Sequence, residues 1–214
     1  MDTSLLKLNL VTDRNLSKGR DIEWIVREAV EGGVTLVQLR EKNCSTKEFV
    51  EIAVRLKRLL SSFNIPLIVN DRVDVALASD ADGVHIGQSD MPYGIARKLL
   101  GYNKLIGLSV ESLRQVEEAN ELEVDYIGVS PVFGTSTKTD TAEPFGLEGL
   151  AKAVALSRHP VVGIGGINID TAAEVINKGA DGIAVVSAIV SAPSPRHAAM
   201  QLRQVVESHI KKSI

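Results

Sequence analysis

The stretch VVGIGGINIDTAAEVINKGADGIAVVS, residues 161–187, carries two short apolar runs, 161–164 and 183–186, on either side of a helical segment. Both runs are nearly continuous rather than alternating, as are strands buried on both faces of a parallel sheet. The first ends in Gly163-Ile164-Gly165-Gly166-Ile167 and the second in Val185-Val186-Ser187. The same grammar extends back along the chain. Apolar runs at 5–12, 34–39, 66–69, 83–86, 105–108 and 126–129 are each followed by a helical stretch, short at 73–78. After the first run, Ile22, Ile25, Val26, Ala29 and Val30 recur at helical spacing. That helix stops at Gly32-Gly33, where glycine supplies a left-handed cap. Ser45 and Glu48 form a capping-box pattern opening a long helix, with Phe49, Ile52, Ala53, Leu56 and Leu60 as its inner stripe.

Eight strand–helix units in 214 residues suit one (βα)8, or TIM, barrel, read here as a single catalytic domain over 1–214. A doubly wound open sheet is the competing fold, but no dinucleotide fingerprint is present. The chain is 44% hydrophobic and only 4% aromatic, so its core is aliphatic, as barrel interiors are. Ala81-Asp82-Gly83, Val124-Asp125-Tyr126 and Ala180-Asp181-Gly182 each sit between a helix and a strand, an echo too irregular for a solenoid. Trp24 reads as packing between helices.

A formal net charge of −3 argues against nucleic acid as the partner. No run approaches the ~20 apolar residues of a membrane span, and Met1-Asp2-Thr3-Ser4 lacks a signal-peptide start. The one cysteine, Cys44, excludes an internal disulfide, fits a reducing, cytoplasmic setting and reads as structural. No exposed helix stripe stands out, which leaves a homo-oligomer open. Lys211-Lys212 reads as a solvated helix end, favoured by the helix dipole.

Barrel sites form at the C-terminal ends of the strands. After the second strand, Gln38, Arg40 and Lys42 alternate and share one face if the strand extends that far. Either they meet an anion or they are a solvated strand end. Asp71 and Asp90 follow the third and fourth strands on one rim and would share a hard cation such as Mg2+. Against that, Asp71 reads equally as a turn residue, and Asp90, before Met91-Pro92, as a helix N-cap. The glycines after strand seven and the end of strand eight suit a phosphate held by backbone N–H groups. Residues 130–146 form a long loop with Thr135, Ser136, Thr137 and Lys138, suited to oxyanions and to closure over a ligand. His85 reads as a satisfied core histidine, with ligand contact as the other reading. One subsite thus suits a metal-bound diphosphate and the other a monophosphate, which points to group transfer from a diphosphate to a phosphorylated acceptor.

With these blocks in order, the chain resembles the thiamine-phosphate synthase (thiamine-phosphate pyrophosphorylase) family over essentially its whole length. The most specific matches are 38–42, 69–71, 83–90, 135–140 and 163–167. The resemblance implies a transferase joining hydroxymethylpyrimidine diphosphate to hydroxyethylthiazole phosphate, two small-molecule substrates, with Mg2+ as cofactor. It implies that Asp71 and Asp90 hold Mg2+, and that Arg40, Lys42, Asn70, Ser109 and Lys138 bind diphosphate. Of these, Lys138, Arg40 and Ser109 act in catalysis. Gln38 faces the aminopyrimidine. Gly166, Val186 and Ser187 take the thiazole phosphate, helped by Thr135 and Thr137. Three positions depart from the family pattern: Asn9 for an aromatic residue, and Ser130 and Gly134 for glycine and proline. The related thiazole tautomerases carry histidine where this chain has Glu111. A ligand-sensing barrel without catalysis would need neither the metal pair nor the leaving-group cations.

Overall fold

The computed structural model describes residues 2–134 and 143–210. Its elements run β1 (Leu8–Val11), α1 (Ile22–Glu31), β2 (Leu36–Leu39), α2 (Thr46–Ser61), β3 (Leu67–Asn70), α3 (Val73–Ala78), β4 (Gly83–Ile86) and α4 (Tyr93–Leu100). They continue with β5 (Leu105–Val110), α5 (Leu113–Ala119), β6 (Tyr126–Val129), α6 (Gly146–Leu156), β7 (Val161–Ile164), α7 (Ala172–Asn177), β8 (Gly182–Val185), α8 (Ser187–Val190) and α9 (Pro195–His209). The eight strands pair in parallel and in chain order, and β1 also pairs with β8, so the barrel closes.

Strand alternation makes two cores. Leu67 and Val69 of β3 face outward into the layer under the helices, whereas Ile68 points into the barrel with Leu36, Tyr126, Val162 and Ala184. Helices α1, α2, α5 and α9 start at a residue whose side chain caps the first turn. Asp21 accepts the Trp24 N–H at 2.8 Å, and Ser45 accepts the Glu48 N–H at 3.2 Å. Glu48 turns its carboxylate to Arg14 at 2.7 Å. The expected α2 stripe, Phe49, Ile52, Ala53, Leu56 and Leu60, is buried throughout.

Three expectations are corrected. The first strand does not begin at Leu5: Thr3–Leu6 is a 3-10 turn that delivers Leu6, fully buried, into the barrel interior. Trp24 is 43% exposed, because Ile25 and Val26 take the inward positions and Arg20 lies over its ring at 5.8 Å. An exposed apolar stripe does exist: Leu77, Ile95, Leu99 and Tyr102 stand on the surface of α3, α4 and the turn after it. Arg97 hid it from the sequence pattern. This arginine occupies an inward position of α4, donating to the carbonyls of Gly101, Lys104 and Glu123 and to Asp125.

The Asp echo is a repeated clamp at the N-terminal end of the barrel, opposite the strand ends that carry the site. Asp82 accepts the Leu67 N–H at 2.8 Å while its own N–H donates to the Leu67 carbonyl. Asp125 grips Ile106 in the same way, and Asp181 grips Val161, each with the carboxylate at 2.8 Å. Thr35 does this for Leu8 through its hydroxyl at 3.0 Å. Every even-numbered strand is thus preceded by a residue that satisfies both polar groups of a residue at or near the start of the odd strand before it. Asp181→Ala leaves the Val161 N–H without its partner and should cost about 1–2 kcal/mol. Urea denaturation checks this, and a variant as stable as the parent would remove the clamp from the stability account.

Candidate active site

A cavity of about 750 Å3 opens at the C-terminal ends of the strands. Its β2–β4 side is charged. Gln38, Arg40 and Lys42 all line it, although β2 itself stops at Leu39. They are not a merely solvated strand end: Gln38 is buried, Arg40 pairs with Asp13 at 3.2 Å and Lys42 with Asp71 at 2.5 Å. Asn70 donates to the Asp71 carboxylate at 2.6 Å.

Asp71 is a turn residue that also lines the cavity. Its backbone is left-handed, with φ +64°, and its N–H donates to the His85 carbonyl at 2.8 Å. Asp90 is not the helix N-cap that its sequence context allows. α4 starts after Pro92, and the Asp90 carboxylate reaches back to the Gly87 N–H at 2.7 Å. Burial raises the Asp90 carboxyl above its usual range and the facing Asp71 carboxyl adds to this, against the Gly87 N–H and Lys42, which lower it. Two carboxyl groups brought together in this way form a site that a cation would neutralise. Among the described residues no group of three or more His, Cys, Asp or Glu is placed to hold a metal, so these two stand as a pair.

The β7–β8 side carries two glycines among uncharged residues. Gly165 and Gly166 have φ of +101° and +66°. A Cβ on Gly166 would come within 2.8 Å of the Gly134 carbonyl oxygen. Val186 and Ser187 line the cavity where β8 turns into α8. These chain segments bring Gly166, Val186 and Ser187 to one wall, as expected. Thr135, Thr137 and Lys138, and with them the middle of the expected closing loop, lie outside the described residues, as do Lys211 and Lys212.

Between the two walls lies a chain of polar groups that sequence reasoning did not assemble. His85 is buried, with Nδ1 3.0 Å from the Tyr126 hydroxyl and Nε2 2.8 Å from Ser109 Oγ. It is a satisfied histidine, and it also lines the cavity. Burial pushes the imidazole down to about 4 and raises the Tyr126 phenol. Gln88 holds the Ser109 carbonyl at 2.6 Å. Tyr126 gave no sequence signal of its own. The available one was the inward-facing pair Gly107 and Gly128, which leaves room for two rings inside the barrel. Asn9 is buried beside the cavity, and its Oδ1 has no partner among the described residues. Cys44 is raised by burial and by Glu41 and Glu48, which agrees with a structural thiol. No helix among the described residues is long and apolar enough to cross a membrane.

Residues 8–189 match the model of a family described as thiamine monophosphate synthase. The chain is 53% identical over 203 residues to the thiamine-phosphate synthase of Albidiferax ferrireducens, covering 95% of this chain and 93% of that one. It is 50% identical over 211 residues to that of Chloroflexus aurantiacus, covering 97% and 96%. Among solved structures, thiamine phosphate pyrophosphorylase from Pyrococcus furiosus superposes with a TM-score of 0.90 at 45% identity, covering 98% of this chain and 99% of that one. A 3-hexulose-6-phosphate synthase, at 17% identity and a TM-score of 0.69, shares the fold.

Proposed function

The chain belongs to the thiamine monophosphate synthase family, and on that premise we propose how its cavity performs the transfer. The enzyme is a transferase of thiamine biosynthesis with small-molecule substrates. It condenses 4-amino-2-methyl-5-hydroxymethylpyrimidine diphosphate with 4-methyl-5-hydroxyethylthiazole phosphate, giving thiamine phosphate and diphosphate.

The reaction is dissociative. The bond between the pyrimidine methylene and the diphosphate oxygen breaks first, and its electron pair leaves with the diphosphate. The electron-rich aminopyrimidine stabilises the methylene cation that remains. The thiazole nitrogen lone pair then bonds to that carbon, with no net proton transfer and no protein nucleophile. The protein's work is to stabilise charge growing on the leaving group and to hold the acceptor in line.

Arg40, Lys42, Asn70, Ser109 and Lys138 bind the diphosphate, and Arg40, Ser109 and Lys138 stabilise it as it departs. Gln38 faces the aminopyrimidine. Gly166, Val186 and Ser187 receive the thiazole phosphate, with Thr135 and Thr137. Asp71 and Asp90 hold Mg2+. Their carboxyls face each other with Asp90 raised by burial, and a carboxylate pair completed by water and phosphate oxygens suits this ion. When bound, Mg2+ supplies positive charge to the leaving diphosphate. A cytoplasmic location accords with a single free cysteine.

The observation that carries this reading is that one cavity has two unlike sides. Carboxylates and cations line it after β2–β4, and Gly165 and Gly166 line it after β7 beside the end of β8. The test is a coupled assay on the purified protein with both substrates and Mg2+, following thiamine phosphate and diphosphate. Stoichiometric formation of the two, abolished by EDTA, is expected. Tight binding of thiazole phosphate without product would overturn the transfer. Lys138→Ala should lower turnover by about 10²–10³, as loss of one transition-state charge donor does. A loss below tenfold would remove Lys138 from the mechanism.

A further inference from the structure

We propose that Tyr126 and His85 are positioning residues whose hydrogen-bond chain fixes the Ser109 hydroxyl as a donor toward the departing diphosphate. This rests on the assignment of Ser109 to the diphosphate made above. The Tyr126 side chain is almost wholly buried, and its hydroxyl meets His85 Nδ1 at 3.0 Å. A phenol has one proton to donate. If Nδ1 carried a proton and donated to the phenol, the phenol's own proton would need a second acceptor; Tyr126 borders the cavity, but among the described residues its hydroxyl meets only His85, and a buried donor left without a partner costs about 1–3 kcal/mol. Tyr126 therefore donates to Nδ1.

A neutral imidazole with Nδ1 accepting carries its proton on Nε2. Nε2–H then donates to Ser109 Oγ across 2.8 Å. With that lone pair occupied by His85, the serine's own O–H is free to turn to the cavity that Ser109 lines. In the opposite tautomer the serine would spend its proton on Nε2 and present only lone pairs to an anion. One buried phenol thus decides whether Ser109 attracts or repels the leaving group.

The glycines on the neighbouring strands keep this chain intact. A Cβ at Gly107 would sit 2.3 Å from Tyr126 Cζ and 2.4 Å from His85 Nδ1, and one at Gly128 would sit 3.1 Å from His85 Cε1. No other side chain fits at Gly107 without displacing the ring pair.

Two measurements on the full chain test the proposal. The first is the ¹⁵N spectrum of the imidazoles, with the His85 signals assigned by their loss in His85→Gln. A protonated Nε2 and a bare Nδ1 are expected, with the Nδ1–H form gaining in Tyr126→Phe. A protonated Nδ1 in the parent enzyme would overturn the chain's direction. The second is a kinetic cycle. Tyr126→Phe should lower kcat about tenfold, the scale of one hydrogen bond, with KM for the pyrimidine diphosphate held within about twofold. In a Ser109→Ala background the same change should cost less than about twofold, because positioning acts only through Ser109. Full additivity would mean that Tyr126 acts by packing and would overturn the inference. If Ser109→Ala leaves kcat unchanged, the diphosphate role of Ser109 fails, and the imidazole spectrum still reports whether the chain runs as argued.

Discussion

Asp90→Asn lowers turnover by about 10³-fold at saturating Mg2+, the several kcal/mol that metal-borne charge stabilisation supplies to a leaving phosphate. Asparagine keeps the shape of the side chain and can still accept from the Gly87 N–H. The folded state should not suffer. Burial and the facing Asp71 carboxyl both raise the Asp90 carboxyl, so its ionised form is less favourable folded than unfolded near neutral pH. Removing that charge relieves the apoenzyme. A melting temperature equal to or above the parent's, beside the lost turnover, is the expected pair of results. Added Mg2+ is expected to raise the melting temperature of the parent and not that of the variant. Activity within tenfold of the parent at ordinary Mg2+ would take Asp90 out of the metal site. A drop in melting temperature would mean that the ionised carboxylate's stronger interactions with the Gly87 N–H and Lys42 outweigh the cost of its burial.

Gly182→Ala is expected to cost about 3 kcal/mol or more and about 10 °C in melting temperature. Gly182 opens β8 on the seam where the barrel closes against β1. A Cβ there would lie 1.6 Å from the Leu6 carbonyl oxygen, a backbone atom. The next residue, Ile183, donates its N–H to the Lys7 carbonyl at 3.2 Å, so the strand cannot back away without breaking the seam. Gly94→Ala is the matched control. It lies within α4, where an added methyl meets nothing within 4 Å. There alanine should be neutral or stabilising by up to about 1 kcal/mol. Guanidinium denaturation of both variants checks the contrast. Equal stabilities would mean that the seam yields more easily than its geometry implies.

Much of the barrel was legible because strands buried on both faces announce themselves as unbroken apolar runs. The bounds expected for β4, β6 and β7 are those observed. Leu5 and Leu6 misled for the same reason: a residue filling the barrel interior is as apolar as one in a strand, and hydrophobicity alone does not separate them. Arg97 misled in the other direction, since a buried guanidinium satisfied by carbonyls reads as surface in any hydrophobic pattern. The charged wall was readable from one rule, that the residues just past each strand line the mouth of such a barrel. Arg40, Lys42, Asp71 and Asp90 obey it, while Gln38 lines the cavity from within β2. The polar chain through His85 was not readable. Its members come from three strands, and their pairing depends on two glycines whose role is only visible once the strands are in register.

The clamps at the foot of the barrel sort the strands into couples: β1 with β2, β3 with β4, β5 with β6, and β7 with β8. A polypeptide severed in the exposed turn between α4 and β5, near Tyr102, would yield two half-barrels, each retaining both of its couples whole. A break between β5 and β6 would instead divide one couple between fragments. The grain of the molecule therefore favours reassembly from halves, and the glycine-bearing wall and the carboxylate wall would come together from opposite pieces.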